Sequence, residues 1–275
     1  MEFLRNFSSK LGLDGIEVNI IINNNKIEVG NICNGILAIK GGSIRCRVGY
    51  ITLLINTDYE LKGKVESKTI QKIMVPIEKD MYPKEKIEVP FTFVPFNEMP
   101  ISLGKNEVWV SARIEEKSKT NMILPKSKVI YGETNILENN VETHRLYIEV
   151  LPHRNMDKVF QIMEGELGFK IIGIDKVCLN NKDESKRVIV QKFIYEPMNY
   201  FKEKINLLSL MLNIQEDFIE LVIDVDKKNK ALAEKFVGML GVKGRKNILR
   251  LEKEELDIKE NIKNKILYFL DSNVS

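Results

Sequence analysis

Histidine is nearly missing from this 275-residue chain: there are two, His144 and His153, one on each side of a short β-type stretch. Acid–base catalysis leans on imidazole because its pKa lies near neutrality, so proton-shuttling chemistry has little to work with. A lone histidine in such a place reads as a structural or surface residue. Cysteine is scarce and odd in number: Cys33, Cys46 and Cys178, with no C-x-x-C pair. That count argues against a disulfide framework and for a reducing cytoplasm as the expected home. Cys33 and Cys46 can fall on neighbouring strands without any need for a bond. No Cys/His cluster at metal-ligand spacing, no H-E-x-x-H and no G-x-S-x-G elbow occurs. No catalytic residue, metal or cofactor is therefore assigned. No apolar run reaches the roughly 18 residues that span a bilayer, and the N-terminus lacks the basic region and apolar stretch of a secretory signal. Asn6-Phe7-Ser8 matches a glycosylation acceptor, which carries no meaning in a cytoplasmic chain.

The chain also lacks a charge imbalance. Its 42 basic and 39 acidic residues leave a formal net charge of +3, which does not point to nucleic acid. One local exception runs from Lys227 to Lys265, with 12 Lys/Arg against 6 Asp/Glu; its plain reading is a solvated face. Within it, Gly241-Val242-Lys243-Gly244-Arg245-Lys246 looks like a phosphate loop but is not one. A P-loop needs four residues between its glycines and a Gly-Lys-Ser/Thr ending, so that backbone amides wrap the phosphates. The stretch reads as a basic helix-to-strand turn. Lys243, Arg245 and Lys246 are the candidate contacts for an anionic partner, and no aromatic side chain is interleaved to stack a base. Asp224-Val225-Asp226 is a D-x-D pair without a third ligand, read as a solvated strand end.

What is present is β-sequence. Ile16, Val18, Ile20 and Ile22 alternate with polar neighbours, which places them on one face of a strand. Asn23-Asn24-Asn25 is a turn signal, Ile27 and Val29 resume the alternation, and Ile36 to Lys40 leads into Gly41-Gly42, a tight reversal. Arg45 to Ile55, Lys68 to Val75, Lys86 to Phe93 and Glu107 to Ile114 follow, the last holding the single tryptophan, Trp109. Seven or so short strands predict an antiparallel sandwich over residues 1–116. Phe3, Leu4, Phe7 and Leu11 fall at helical spacing before Gly12 and predict a short opening helix that packs on the domain or touches a membrane surface. Residues 117–144 turn polar and read as a linker or excursion, with a short strand near Val129 to Tyr131.

Residues 145–251 predict a second, β-rich domain with helices. Its expected strands are Arg145 to Val150, Lys170 to Val177, Val188 to Tyr195, Ile205 to Leu212, Phe218 to Asp224 and Asn247 to Leu251. The run Leu207 to Leu212 fits strand or buried helix equally by periodicity. Asp157 to Leu167 predicts a helix, with Met156, Val159, Phe160, Met163 and Leu167 as its stripe and Gly168 as its stop. Asn229 to Leu240 predicts another. Residues 252–275 form a terminal helix and tail, with Ile258, Ile262, Ile266, Phe269 and Leu270 on one side and Asp257 as cap with Glu260. That single stripe fits packing on the second domain or self-association.

Several motifs occur in a shared order. Met1 to Phe7 is followed by Gly12-Leu13-Asp14-Gly15. Val29-Gly30-Asn31-Ile32-Cys33-Asn34-Gly35 leads into a strand closed by Gly41-Gly42. Lys86-Ile87-Glu88-Val89-Pro90-Phe91-Thr92-Phe93 precedes Glu98-Met99-Pro100-Ile101-Ser102 and Val108-Trp109-Val110. Arg145 to Pro152 and Glu166-Leu167-Gly168-Phe169 continue the series. The chain thereby resembles the bacterial sporulation-control M family, the stage-zero sporulation regulators. The resemblance implies an arrestin-like, mainly β fold: an N-terminal antiparallel sandwich and a second β-rich domain with helices. It implies a cytoplasmic, non-enzymatic regulator acting through protein contacts. The stretch 115–144 departs from the family in lacking an Asp-rich connector, and the chain beyond about residue 252 looks like an added tail. The alternative reading is a peripheral membrane- or cytoskeleton-associated module, motivated by the opening residues and the basic segment 227–265.

Overall fold

The computed structural model describes residues 8–11, 15–24, 26–61, 63–103, 107–115, 145–179, 188–227 and 248–274. The opening residues 1–7, the excursion 117–144 with its expected strand, the expected helix Asn229 to Leu240, and Lys243, Arg245 and Lys246 lie outside them.

Strand alternation builds the first half. Strands β1 (Ser8–Leu11), β2 (Ile16–Ile22), β4 (Cys33–Lys40) and β7 (Lys86–Phe93) make a four-stranded sheet in the order β1-β2-β4-β7. A second sheet has the order β3-β9-β8-β5-β6, from β3 (Lys26–Glu28), β5 (Cys46–Leu61), β6 (Lys64–Met81), β8 (Val108–Glu115) and β9 (Leu146–Leu151). Register stacks Val18, Ile39 and Ile87 in one row of the first sheet. Ile51, Leu53, Ile55, Val110 and Ala112 face them from the second in one buried cluster. Each large aliphatic group so buried contributes about 1.5–3 kcal/mol.

Two expectations change here. Leu11 was expected on an opening helix; residues 8–11 are instead β1, paired antiparallel to β2 with Leu11 opposite Ile16. So short an apolar stripe is a poor helix nucleus, and the edge of β2 offers ready backbone partners. Strand β9, expected to open the second domain, is laid into the sandwich, antiparallel to β8 and parallel to β3.

Glycine matters at two crowded places in the first sheet. A Cβ on Gly35 would lie 2.4 Å from the Phe91 ring and 2.6 Å from the Ile21 carbonyl oxygen. A Cβ on Gly41 would lie 2.1 Å from the Tyr82 carbonyl oxygen. Gly41 therefore serves close approach: its N–H donates to the Glu85 carbonyl at 2.7 Å, tying β4 to the β6–β7 turn. Gly41→Ala is expected to cost about 1–3 kcal/mol through forced separation of these backbones, read as a lower midpoint in urea unfolding.

The second half is one antiparallel meander with helices on its inner face. Strands β10 (Phe169–Leu179), β11 (Val188–Pro197), β12 (Ile205–Ile214), β13 (Phe218–Lys227) and β14 (Ile248–Glu252) lie in that order. The undecided run 207–212 is strand. Helix α1 (Arg154–Gln161) continues into a π-helical turn, Ile162–Glu166. Gly168 ends it at φ +68°, where glycine avoids the left-handed penalty. The Phe160 ring meets Phe193 edge-on, with centroids 4.8 Å apart.

Two helices close the chain: the single-turn α2 (Lys253–Leu256) and the longer α3 (Lys259–Val274). Asp257 is not the cap of α3 but the C-cap of α2, whose own capping box is Glu252 with Glu255. Ile262, Ile266 and Leu270 are fully buried, while Ile258, expected in their stripe, is 54% exposed. The chain turns between α2 and α3, so Ile258 precedes the helix and leaves its apolar face.

Candidate interaction surfaces

Hairpin β5–β6 positions the contacts between the halves. Its strands run 16 and 18 residues, roughly 50–60 Å at about 3.3 Å per residue. Its strand β5 lies against β10. There the Lys176 ammonium donates to Thr57 Oγ1 at 2.5 Å and to the Glu107 carbonyl at 3.4 Å. Thr57 Oγ1 donates in turn to the Glu107 carbonyl at 2.9 Å. Burial pulls the Lys176 pKa down to about 8, against the opposing pull of the Asp58 and Glu107 carboxylates.

A second clamp is fully buried. Gln191, on the inner face of β11, lays its amide against the backbone of Ile101. Nε2 donates to the Ile101 carbonyl and Oε1 accepts from the Ile101 N–H, both at 2.8 Å. Asn97 Nδ2 adds a donor to the Ile214 carbonyl at 3.3 Å. Sequence reasoning missed Gln191 and Lys176. The available signal was parity: Gln191 shares a strand face with Ile189 and Phe193, where an apolar residue is the rule.

The residues singled out for chemistry fall elsewhere. His153 is the N-cap of α1: its Nδ1 accepts from the Asn155 N–H at 3.2 Å. A Cβ on Gly30 would lie 3.0 Å from its ring, so the imidazole is packed against the β3–β4 turn. Burial lowers the His153 pKa; Glu28 opposes this and Lys158 adds to it. Only neutral Nδ1 can accept the capping bond, so folding disfavours the proton. The folded pKa lies below the unfolded value near 6.5, and the unfolded chain takes up the proton first. The cap's contribution is complete above about pH 6.5 and is lost as pH falls through the folded pKa. Thermal midpoints at pH 7.5 and 5 are expected to differ less in His153→Asn, which caps without titrating, than in the parent.

Cys33 is buried, which pushes its thiol up to about 11, well above neutrality; a protonated thiol is a poor nucleophile. Asp226, of the D-x-D pair, is nearly buried and accepts from Asn206 Nδ2 at 3.3 Å. Among the described residues no group of three or more His, Cys, Asp or Glu side chains could hold a metal ion. No helix among them is long and apolar enough to cross a membrane.

Strand β6 ends its sheet and, among the described residues, pairs only with β5. Its flank shows Val65 at 74% and Met74 at 64% exposure, with Val94 at 46% beside them. Gln71 Nε2 donates to the Val94 carbonyl at 2.9 Å and fixes that corner.

The fold and its surfaces have known relatives. The SpoOM protein family model matches residues 4–122 and 135–229. The curated sporulation-control protein Spo0M of Bacillus subtilis (strain 168) is 25% identical over 238 residues, 84% of this chain and 83% of that protein. The crystal structure of Spo0M from Bacillus subtilis superposes with a TM-score of 0.70 at 22% identity, covering 94% of this chain and 98% of the other. The fold is thus mainly β and arrestin-like. The family match spans both halves, from the first strand to the end of β13, and the chain belongs to the SpoOM family of sporulation-control proteins.

Proposed function

We propose that this protein is a non-enzymatic, cytoplasmic regulator of sporulation control that works by holding other proteins. Membership of the family supports the regulatory role. The observation that carries the mode of action is β6, a long strand that among the described residues pairs only with β5 and exposes Val65 and Met74 along its flank. Edges of this kind bind by strand addition, in which main-chain bonds supply affinity and side chains supply choice. The clamps at Gln191 and Lys176 bring the two halves together.

The test is crosslinking affinity purification of the tagged full chain from its native cells, during growth and at entry into sporulation. Proteins recovered reproducibly, and more strongly at one stage, support the reading. Recovery of anionic lipid without protein would replace it with peripheral membrane attachment. Recovery of neither, with a small molecule copurifying, would end it.

A further inference from the structure

We infer that the seam where Lys176 of β10 meets Thr57 and Glu107 is a pH-sensitive latch between the two halves, which tightens as Lys176 gives up its proton. A latch of this kind sets how firmly the halves hold each other, whichever protein they engage.

Geometry comes first. Lys176 stands directly opposite Gln191 in the β10–β11 pairing, so both side chains leave the same face of the second half. Both reach residues of the first half. Thr57 is fully buried, and its one hydroxyl proton goes to a carbonyl, that of Glu107 at 2.9 Å or that of Asp58 at 3.5 Å. Toward Lys176 the hydroxyl therefore only accepts. The seam offers Nζ two acceptors, the Thr57 hydroxyl oxygen and the Glu107 carbonyl, and both are neutral. A neutral amine carries two N–H groups and fits two acceptors; an ammonium carries three, and a charge. Closing the seam strips water from that cation without bonding it to an anion, a cost the amine avoids.

The surrounding charges do not reverse this. Asp58 of β5 and Glu107 just ahead of β8 attract the ammonium through space, but burial outweighs them and holds Lys176 at about 8, against 10.5 for an ordinary lysine. Asp58 already accepts from the Ser67 hydroxyl of β6. Lys68, opposite Thr57 in the β5–β6 pairing, is the cation on that side. Asp175 and Lys192, one step along β10 and β11, meet each other at 2.8 Å. Cys178 follows Lys176 by two residues on β10 and shares its face. Opening the seam returns Lys176 to water and to its ordinary value. Between about pH 8 and 10.5 the open state binds the extra proton, so rising pH favours closure. Below about pH 8 both states hold the proton and the dependence fades.

The test is carbon-13 NMR of the full chain labelled at lysine Cε, with the Lys176 signal identified as the one lost in K176M. In the folded protein that signal is expected to titrate about two pH units below the exposed lysines, and to rejoin them in concentrated urea. D58N keeps an oxygen for Ser67 but removes a charge supplied by the first half, and is expected to move the Lys176 midpoint further down. Urea unfolding gives the second readout. From about pH 7.5 to 9.5 the folding equilibrium of the parent is expected to strengthen about fivefold more than that of K176M, which cannot titrate at this position. A Lys176 signal that titrates with the exposed lysines, a midpoint unmoved in D58N, or a K176M pH profile parallel to the parent's overturns the latch.

Discussion

Truncation after Leu256 is expected to abolish cooperative folding of the second half. Ile262, Ile266 and Leu270 of α3 are fully buried in the same cluster as Val159, Phe160 and Leu221. Losing three such side chains removes about 5–9 kcal/mol at about 1.5–3 kcal/mol each, set against a whole-domain stability of about 5–15 kcal/mol. Polar ties go with them. Lys263 meets Glu166 at 3.4 Å, Lys265 meets Glu255 at 2.5 Å, and Lys259 donates to Gln161 at 2.8 Å. Circular dichroism melts and dye binding to exposed apolar surface check this; a sharp transition within a few degrees of the parent would mean that the helix is dispensable. Ile266→Ala is the milder version, with an expected loss of about 2–5 kcal/mol. The helix stripe is thus spent within the chain, which leaves self-association through it without an apolar face. The family match ends at residue 229, yet β14 and α3 complete the sheet and its core.

Gln191→Leu is expected to loosen the two halves from each other. It nearly conserves volume but strands both the N–H and the carbonyl of Ile101 in a buried site. Each unsatisfied group costs about 1–3 kcal/mol, so the total is about 2–6 kcal/mol. The single tryptophan, Trp109, sits buried on β8 under the Arg145 guanidinium, 4.2 Å from its ring. Its fluorescence reports the sandwich alone, whereas far-ultraviolet circular dichroism reports both halves. In the parent the two probes are expected to give one urea transition, and in Gln191→Leu two that no longer coincide. Coincident, unshifted transitions in the variant would show that the clamp contributes nothing to coupling.

Much of this fold was legible in single strands. The alternation of Ile16, Val18 and Ile20 gave β2 its buried face directly, and the stripe Val159, Phe160, Met163 gave α1 its packing side. What escaped was pairing between distant segments. Nothing in Leu146–Leu151 says that its neighbours are Lys26–Glu28 and β8, because a strand carries its own faces but not its partners' addresses. The same limit hid the interaction surfaces. Val65 and Met74 look like any strand residues until β6 is known to end its sheet, and Gln191 looks like any strand glutamine until Ile101 is seen opposite. The start of α3 was misplaced because Asp257 satisfies the rules for an N-cap, while Glu252 and Glu255 satisfy them one turn earlier.

The placement of β9 carries a consequence for synthesis on the ribosome. Lys26 and Glu149, joined at 3.1 Å, are 123 positions apart, and β9 fills the place between β3 and β8. A nascent chain released as far as residue 116 has most of one sandwich but an open slot in its second sheet. At about 5–20 residues per second, the missing strand arrives a few seconds later. During that interval the edge of β8, with Trp109 and Val110 on it, waits unpaired. The opening half of this protein is therefore not a self-sufficient unit in time, and its closure is scheduled by the translation of residues that lie in the other half of the sequence.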